Sequence, residues 1–335
     1  EHIERKGYPE TFEFVSTTKP NTLGNIRLLS GELKVPVFKR EGQQLVPCPI
    51  CHPYQPWFGV GRMAWFPDEA VVRFIGHDCA KRHFAERFLE AEARFNTERR
   101  IRYLTRRWGA ISEKQDILAA FLEKLAAPSE ALEQVRAEIE SRLRGFTNFF
   151  HRELVRDGGR MQVTANTGMT DHKGQVVAEK ISLGFATGAA FWGKPFVPYQ
   201  QYLSLRQVIA DLARPLPQWR NTDQDIKHED EIIRRGTAAD SLPEYLVGLH
   251  ELIVDAQSFF LPKNLALIER WGKDPGSPFI SLVCRRVGNE FVLRSITYEG
   301  SRFCKVQMPS AGLLKIKREI PLQVRELLRP TDKDH

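Results

Sequence analysis

Cys48-Pro-Ile-Cys51 and, further along, Cys79-Ala-Lys-Arg-His83 are the stretches that decide how this chain folds. Two cysteines separated by two residues have the spacing of a zinc knuckle, in which a tight turn presents both thiolates to one tetrahedral ion. Cys79 and His83 are four residues apart, so on a helix both side chains project from one face. If the chain between the two pairs doubles back, four soft donors meet. The spacing therefore predicts a zinc site made of Cys48, Cys51, Cys79 and His83, with His77 and His52 as alternatives for the fourth position.

The intervening sequence has the texture such a site needs. Trp57-Phe58 and Trp65-Phe66 flank Gly59-Val60-Gly61, a pattern of two short strands about a glycine turn. Residues 71–75 read as a further strand. Gly76-His77-Asp78 then leads into a helical pattern, with Asp78 the expected N-cap. Knuckle, hairpin and a ligand pair at a helix start resemble the treble-clef group of zinc fingers over residues 48–83. That resemblance implies an architecture and no single activity, because treble clefs serve in nucleic-acid binding, protein docking and some nucleases. The nuclease branch needs a catalytic histidine and further metal ligands; His77 is the nearby candidate, and no second ligand set accompanies it. Four soft donors close the tetrahedron and leave no open position for water or substrate, so the zinc is expected to be structural.

Downstream, residues 79–108 contain no Gly or Pro. Phe84, Phe88, Ala91 and Phe95 repeat at spacings of four, three and four, a coiled-coil-like stripe that resumes at Ile101, Leu104 and Trp108 before Gly109. A second helix is expected over 112–126 and a third from Pro128 to about Leu154, giving an antiparallel helical hairpin or small bundle. The boundary Asp157-Gly158-Gly159 precedes a mixed α/β region, with strands near 162–165 and 176–185, a helix over 200–213, a polar loop over 218–240 and a helix over 242–260. Residues 279–286, 290–298 and 302–308, separated by short turns, predict a C-terminal β-meander, with a short helix near 321–328 and a frayed end from 331. Upstream, residues 1–47 are β-leaning, with short strands near 11–15 and 33–38. The fold class is thus α+β in five parts: 1–47, 48–84, 85–156, 160–272 and 278–329.

Function is expected on the long helix rather than at the metal. The chain of 335 residues carries a formal charge of +7. Residues 80–107 alone hold nine Lys or Arg against four Glu, a net of +5. Arg94, Arg99, Arg100, Arg102, Arg106 and Arg107 are the candidate phosphate contacts, since guanidinium forks match phosphate oxygens. The counter-expectation is neutralisation by an acidic helix carrying Glu130, Glu133, Glu138 and Glu140. Trp57, Phe58, Trp65 and Phe66 either stack on bases or form the finger's own core. The acidic cluster Asp223, Asp225, His228, Glu229, Asp230 and Glu231 reads as a solvated loop, and His151, His172 and His250 as packing or surface residues.

No nucleotide-binding glycine fingerprint and no G-x-S-x-G elbow is present. A mean hydropathy of −0.37 argues against a membrane protein, and no run approaches the roughly 20 apolar residues that a spanning helix needs. Few cysteines, most of them in the metal cluster, suggest a reducing, cytoplasmic setting. The expectation is a non-enzymatic zinc protein that binds DNA or RNA. The alternatives are a protein–protein scaffold whose aromatic stripe meets a partner, and a nuclease or hydrolase with a site hidden in 160–260.

Overall fold

The computed structural model describes residues 1–21, 24–143, 148, 150–152, 158–170, 172–222, 225–274, 277, 279–298, 300–308 and 316–328. Leu154, Asp157, Asp223, Pro278 and everything from 331 on, which figure in the expectations above, lie outside the described residues. Helices and sheets are mixed, and the chain divides into two compact units. One comprises Glu1–Thr105 and Gln218–Ile233, the other Arg106–Pro217 and Arg234–His335.

The first unit is organised on one strand. After a short helix, α1 (His2–Lys6), strands β1 (Arg27–Leu28) and β2 (Leu33–Lys34) share one edge of β5 (Val60–Phe66), and β6 (Val71–Gly76) takes the other, all antiparallel. Pro36 follows β2 and ends it early, as a residue with no amide proton does. Of the strand expected at 11–15, only an isolated bridge from Val15 to Val72 forms.

β3 (Val46–Cys48) and β4 (His52–Phe58) make a separate hairpin. The strands around Gly59 were expected to pair with each other, and they do not: β4 pairs back to β3, and β5 forward to β6. One residue is too short a connection for a two-residue hairpin turn, so Gly59 passes the chain from one hairpin to the next. Gly61 and Gly76 stand opposite each other across β5 and β6. A Cβ on Gly61 would lie 2.5 Å from Phe58 Cε2 and 2.6 Å from the Ile75 carbonyl oxygen. Missing side chains there let the Phe58 ring settle onto the second hairpin, which seats the knuckle beside the helix that follows.

That helix, α2 (His77–Phe84), starts two residues before expectation. Its N-cap is Gly76 in extended conformation, and Asp78 falls in the first turn, where a carboxylate still meets the positive end of the helix dipole. The chain breaks at Ala85 (φ 45°, ψ −116°) and resumes as α3 (Glu86–Ser112), which passes through Gly109 without stopping. The aromatic stripe therefore spans two helices. Phe84 and Phe88 are buried with Ile26, Leu28, Phe66 and Ile75, and Ala91 and Phe95 pack against the same cluster.

The second unit carries the larger core. α4 (Gln115–Arg142) is one helix where two were expected, and Pro128 lies inside it. The lost helical hydrogen bond costs about 3 kcal/mol. Burial of Leu125, Pro128, Leu132 and Val135 along the same face offsets that cost. Against α4 packs α5 (Pro198–Leu212), where Tyr202 Oη donates to Glu123 at 3.1 Å and the Tyr199 amide to Glu133 at 2.8 Å. A long hairpin of β7 (Arg160–Thr170) and β8 (Val176–Phe185) lies between them in sequence.

α6 (Ile226–Ser258) begins within the stretch read as a polar loop and contains Pro243. Leu242, Leu246, Leu249 and Ile253 repeat at helical spacing on its buried face. α7 (Pro262–Gly272) follows. The meander β9 (Ser281–Val287), β10 (Glu290–Thr297) and β11 (Gly300–Gln307) forms in the expected order, and α8 (Leu322–Leu327) completes the described elements. Cys284 and Cys304 both register with Leu293, one on each side of β10. Two strand spacings separate them by about 9.6 Å, beyond the roughly 7 Å that a disulfide spans. They remain buried thiols, and burial pushes Cys304 up to about 11. Among the described residues, no helix is long and apolar enough to cross a membrane.

Candidate metal centre and the arginine-rich helix

Three of the four predicted ligands come together. Cys48 ends β3, Cys51 closes the turn to β4 and Cys79 sits in the first turn of α2, and their sulfurs all lie within 4.8 Å of one another. Cys51 Sγ and Cys79 Sγ are 2.7 Å apart. Cys48 is fully buried and Cys79 nearly so, in a cluster with Ile50, Ala64, Phe66 and Ile75. Burial pushes the Cys79 thiol well above the ordinary range and raises Cys51 as well. Buried thiols massed in this way resist ionising without a cation, and a bound metal ion reverses that by stabilising thiolate. The donor set fits a soft or borderline metal.

His83 does not join the group. Although it lies four residues after Cys79 on the same short helix, it is exposed and outside the sulfur cluster. The spacing argument placed both side chains on one helix face. That face is buried at its start, by Cys79 and Ala80, and open to solvent at Lys81, Arg82 and His83. His77 Nδ1 lies 3.2 Å from Glu32 Oε1, and its ring meets Phe88 edge-on at 5.7 Å. The His52 ring stacks on Trp57 with centroids 3.8 Å apart and planes 8° from parallel.

The predicted arginines sort into two sets. Arg107 is buried, donating from Nε to Asp240 at 3.0 Å and also to the Leu327 carbonyl. Arg94 is held by Glu229 at 2.8 Å, by Asn221 at 2.6 Å and by Glu98 at 3.3 Å. Arg107 is thus buried and Arg94 only a third exposed, for one reason. Buried carboxylates, chiefly Glu98 and Glu229, lie where sequence alone put solvent. Glu98 also receives Arg27 at 3.2 Å and Arg102 at 3.0 Å, so one carboxylate with 4% side-chain exposure organises three guanidiniums. Arg99, Arg100 and Arg102 are exposed in the first unit, with Arg102 reaching Glu98 from the surface; Arg106 is exposed in the second.

The acidic cluster is likewise not a solvated loop. Residues 226–231 are helical, and Glu229 is buried, accepting from Trp219 Nε1 at 3.0 Å as well as from Arg94. Asp225 ties down the preceding turn through Thr222 and the Arg220 amide, and those hydrogen bonds hold its carboxyl below the usual range. Sequence reasoning missed Glu98 and Glu229 as organisers. The available signal was Glu98 itself, an acid on the apolar stripe at the point where that stripe falters.

Phe58 and Phe66 pack inside the first unit, while Trp57 remains half-exposed. A cleft of about 230 Å³ lies between residues 25–28 and the face of α3 bearing Arg87, Arg94 and Glu98. Comparison with known protein families, curated proteins and solved structures returns no match.

Proposed function

We propose that this chain is a zinc-stabilised, non-enzymatic protein that binds nucleic acid or assembles nucleic-acid complexes. It meets phosphates through the exposed guanidiniums of Arg99, Arg100 and Arg102 on α3. The observation carrying this reading is that a buried three-cysteine cluster sits at the foot of the helical segment that displays those arginines. Three thiolates favour zinc among common metals, in a closed site with a structural task. The order of parts supports a treble-clef-like module: the knuckle turn of β3–β4, the hairpin β5–β6, then α2 carrying Cys79. The work of the metal is to fix the root of the helices; the work of the arginines is electrostatic.

The scaffold alternative loses its main surface, because Phe84 and Phe88 are spent on the unit's own core. What remains outward on that segment is mainly charge, with Leu89 the one large apolar side chain exposed there. Five unpaired cysteines agree with a reducing, cytoplasmic setting.

The test is a salt-titrated binding assay of the full chain with DNA and RNA, duplex and single-stranded. Phosphate contacts give a steep fall in affinity with salt, and each arginine removed lowers the slope by about 1. Reversing Arg99, Arg100 and Arg102 to Glu should abolish binding. Affinity that ignores both salt and these reversals, or no binding to any of the four forms, overturns the proposal.

A further inference from the structure

Resting on the metal centre proposed above, we infer that His52 supplies its fourth donor, through Nδ1. Three sulfurs leave a tetrahedral ion one position short. None of His52, His77 and His83 brings a ring nitrogen within 4.8 Å of all three sulfurs as the structure stands. The choice therefore turns on how each ring is engaged. His83 is exposed. His77 Nδ1 lies 3.2 Å from Glu32 Oε1 without the alignment of a hydrogen bond, and its ring is packed on Phe88. His52 Nδ1 is buried and has neither a hydrogen bond nor an ion pair.

The register of the knuckle hairpin supplies the second argument. Cys48 and His52 are opposed across β3 and β4 at the turn end of the hairpin, past a shift of register between Pro47 and Cys48. Opposed residues of an antiparallel pair carry their Cβ atoms on the same face, about 5 Å apart. A residue immediately after Cys51 would reach the metal only by folding back, and the knuckle turn performs that reversal. Trp57, stacked flat on the imidazole, fixes the plane of the ring from its other side. The 2.7 Å between Cys51 and Cys79 is shorter than the roughly 3.8 Å separating two thiolates on a tetrahedral zinc. Metal entry must therefore spread these sulfurs, and the turn that moves with Cys51 also carries His52.

The experiment uses the full chain loaded with Co(II), whose ligand-field and thiolate charge-transfer bands report the donor set. His52→Ala should weaken Co(II) binding by more than the roughly 10- to 100-fold that an outer-shell change costs. It should also shift the ligand-field band, while His77→Ala and His83→Ala leave affinity and spectrum as in the parent. His52→Cys should keep the metal and add a fourth thiolate to the charge-transfer intensity, which decides the matter if His52→Ala fails to fold. Unchanged affinity and spectrum in His52→Ala, or no added thiolate band in His52→Cys, overturns the assignment while the centre stands. Parent-like Co(II) binding by Cys48→Ser and Cys79→Ser overturns the centre itself.

Discussion

The Glu69 carboxylate closes the turn between β5 and β6, accepting from Arg73 Nη2 at 2.7 Å and from the Asn21 amide at 3.1 Å. Arg73 is buried against the Phe66 ring, so this pair anchors the hairpin to its core. The hydrogen bond from Arg73 is the main cause that holds the Glu69 carboxyl below its ordinary value of 4.5. A depressed folded-state value adds stability that is complete above the unfolded value and is lost as pH falls through the folded one. Glu69→Gln should therefore lower stability at neutral pH and flatten the acid limb of the denaturation profile, as read by urea midpoints across that range. Identical acid limbs in variant and parent would refute the linkage. At Gly61 the constraint is steric. Gly61→Ala forces a Cβ into Phe58 and the Ile75 carbonyl, and overpacking of this kind costs about 1–3 kcal/mol. Calorimetry on the variant would show it as a lowered transition for the first unit. Sequence alone offered Gly61 only as half of a turn; that it is a window for Phe58 depends on which strands pair.

Among the elements, α3 departs furthest from its sequence pattern. Its apolar stripe was legible because burial follows helical period. Its charge was legible only as a sum, because the partners of Arg94 lie as far away as residue 229 and such pairings leave no local mark. Glu98 is where the helix commits most. Glu98→Gln should cost about 1–3 kcal/mol, less than a fully buried pair, because its arginine partners remain half in water. Urea denaturation measures this, and a neutral result would mean the three guanidiniums are satisfied by solvent. The knuckle was legible for a different reason: two thiols at fixed spacing in a turn are local chemistry. His83 was not, since helical spacing gives a direction along the helix and not which part of that face is covered. Pro128 misled in the opposite sense, as it sits inside a long helix whose buried face outweighs one missing hydrogen bond.

At the scale of the whole molecule, each unit has its own apolar core, and the cysteine cluster belongs to the first. With zinc held there, chelation should destabilise the first unit by on the order of several kcal/mol, lowering its melting transition and leaving the second in place. Scanning calorimetry with and without chelator reads both, and a single transition that shifts as a whole would contradict it. The α+β class and the closing meander were visible in the sequence. The division into units was not, because residues 218–233 belong with 1–105 and no composition shift announces a discontinuous unit. That discontinuity sets an order of events during synthesis. The side chains that hold Arg94, Glu229 and Asn221, leave the ribosome well after the rest of the first unit has emerged. A nascent chain halted before residue 218 therefore holds Arg94 through Glu98 alone, with its Glu229 and Asn221 partners not yet made.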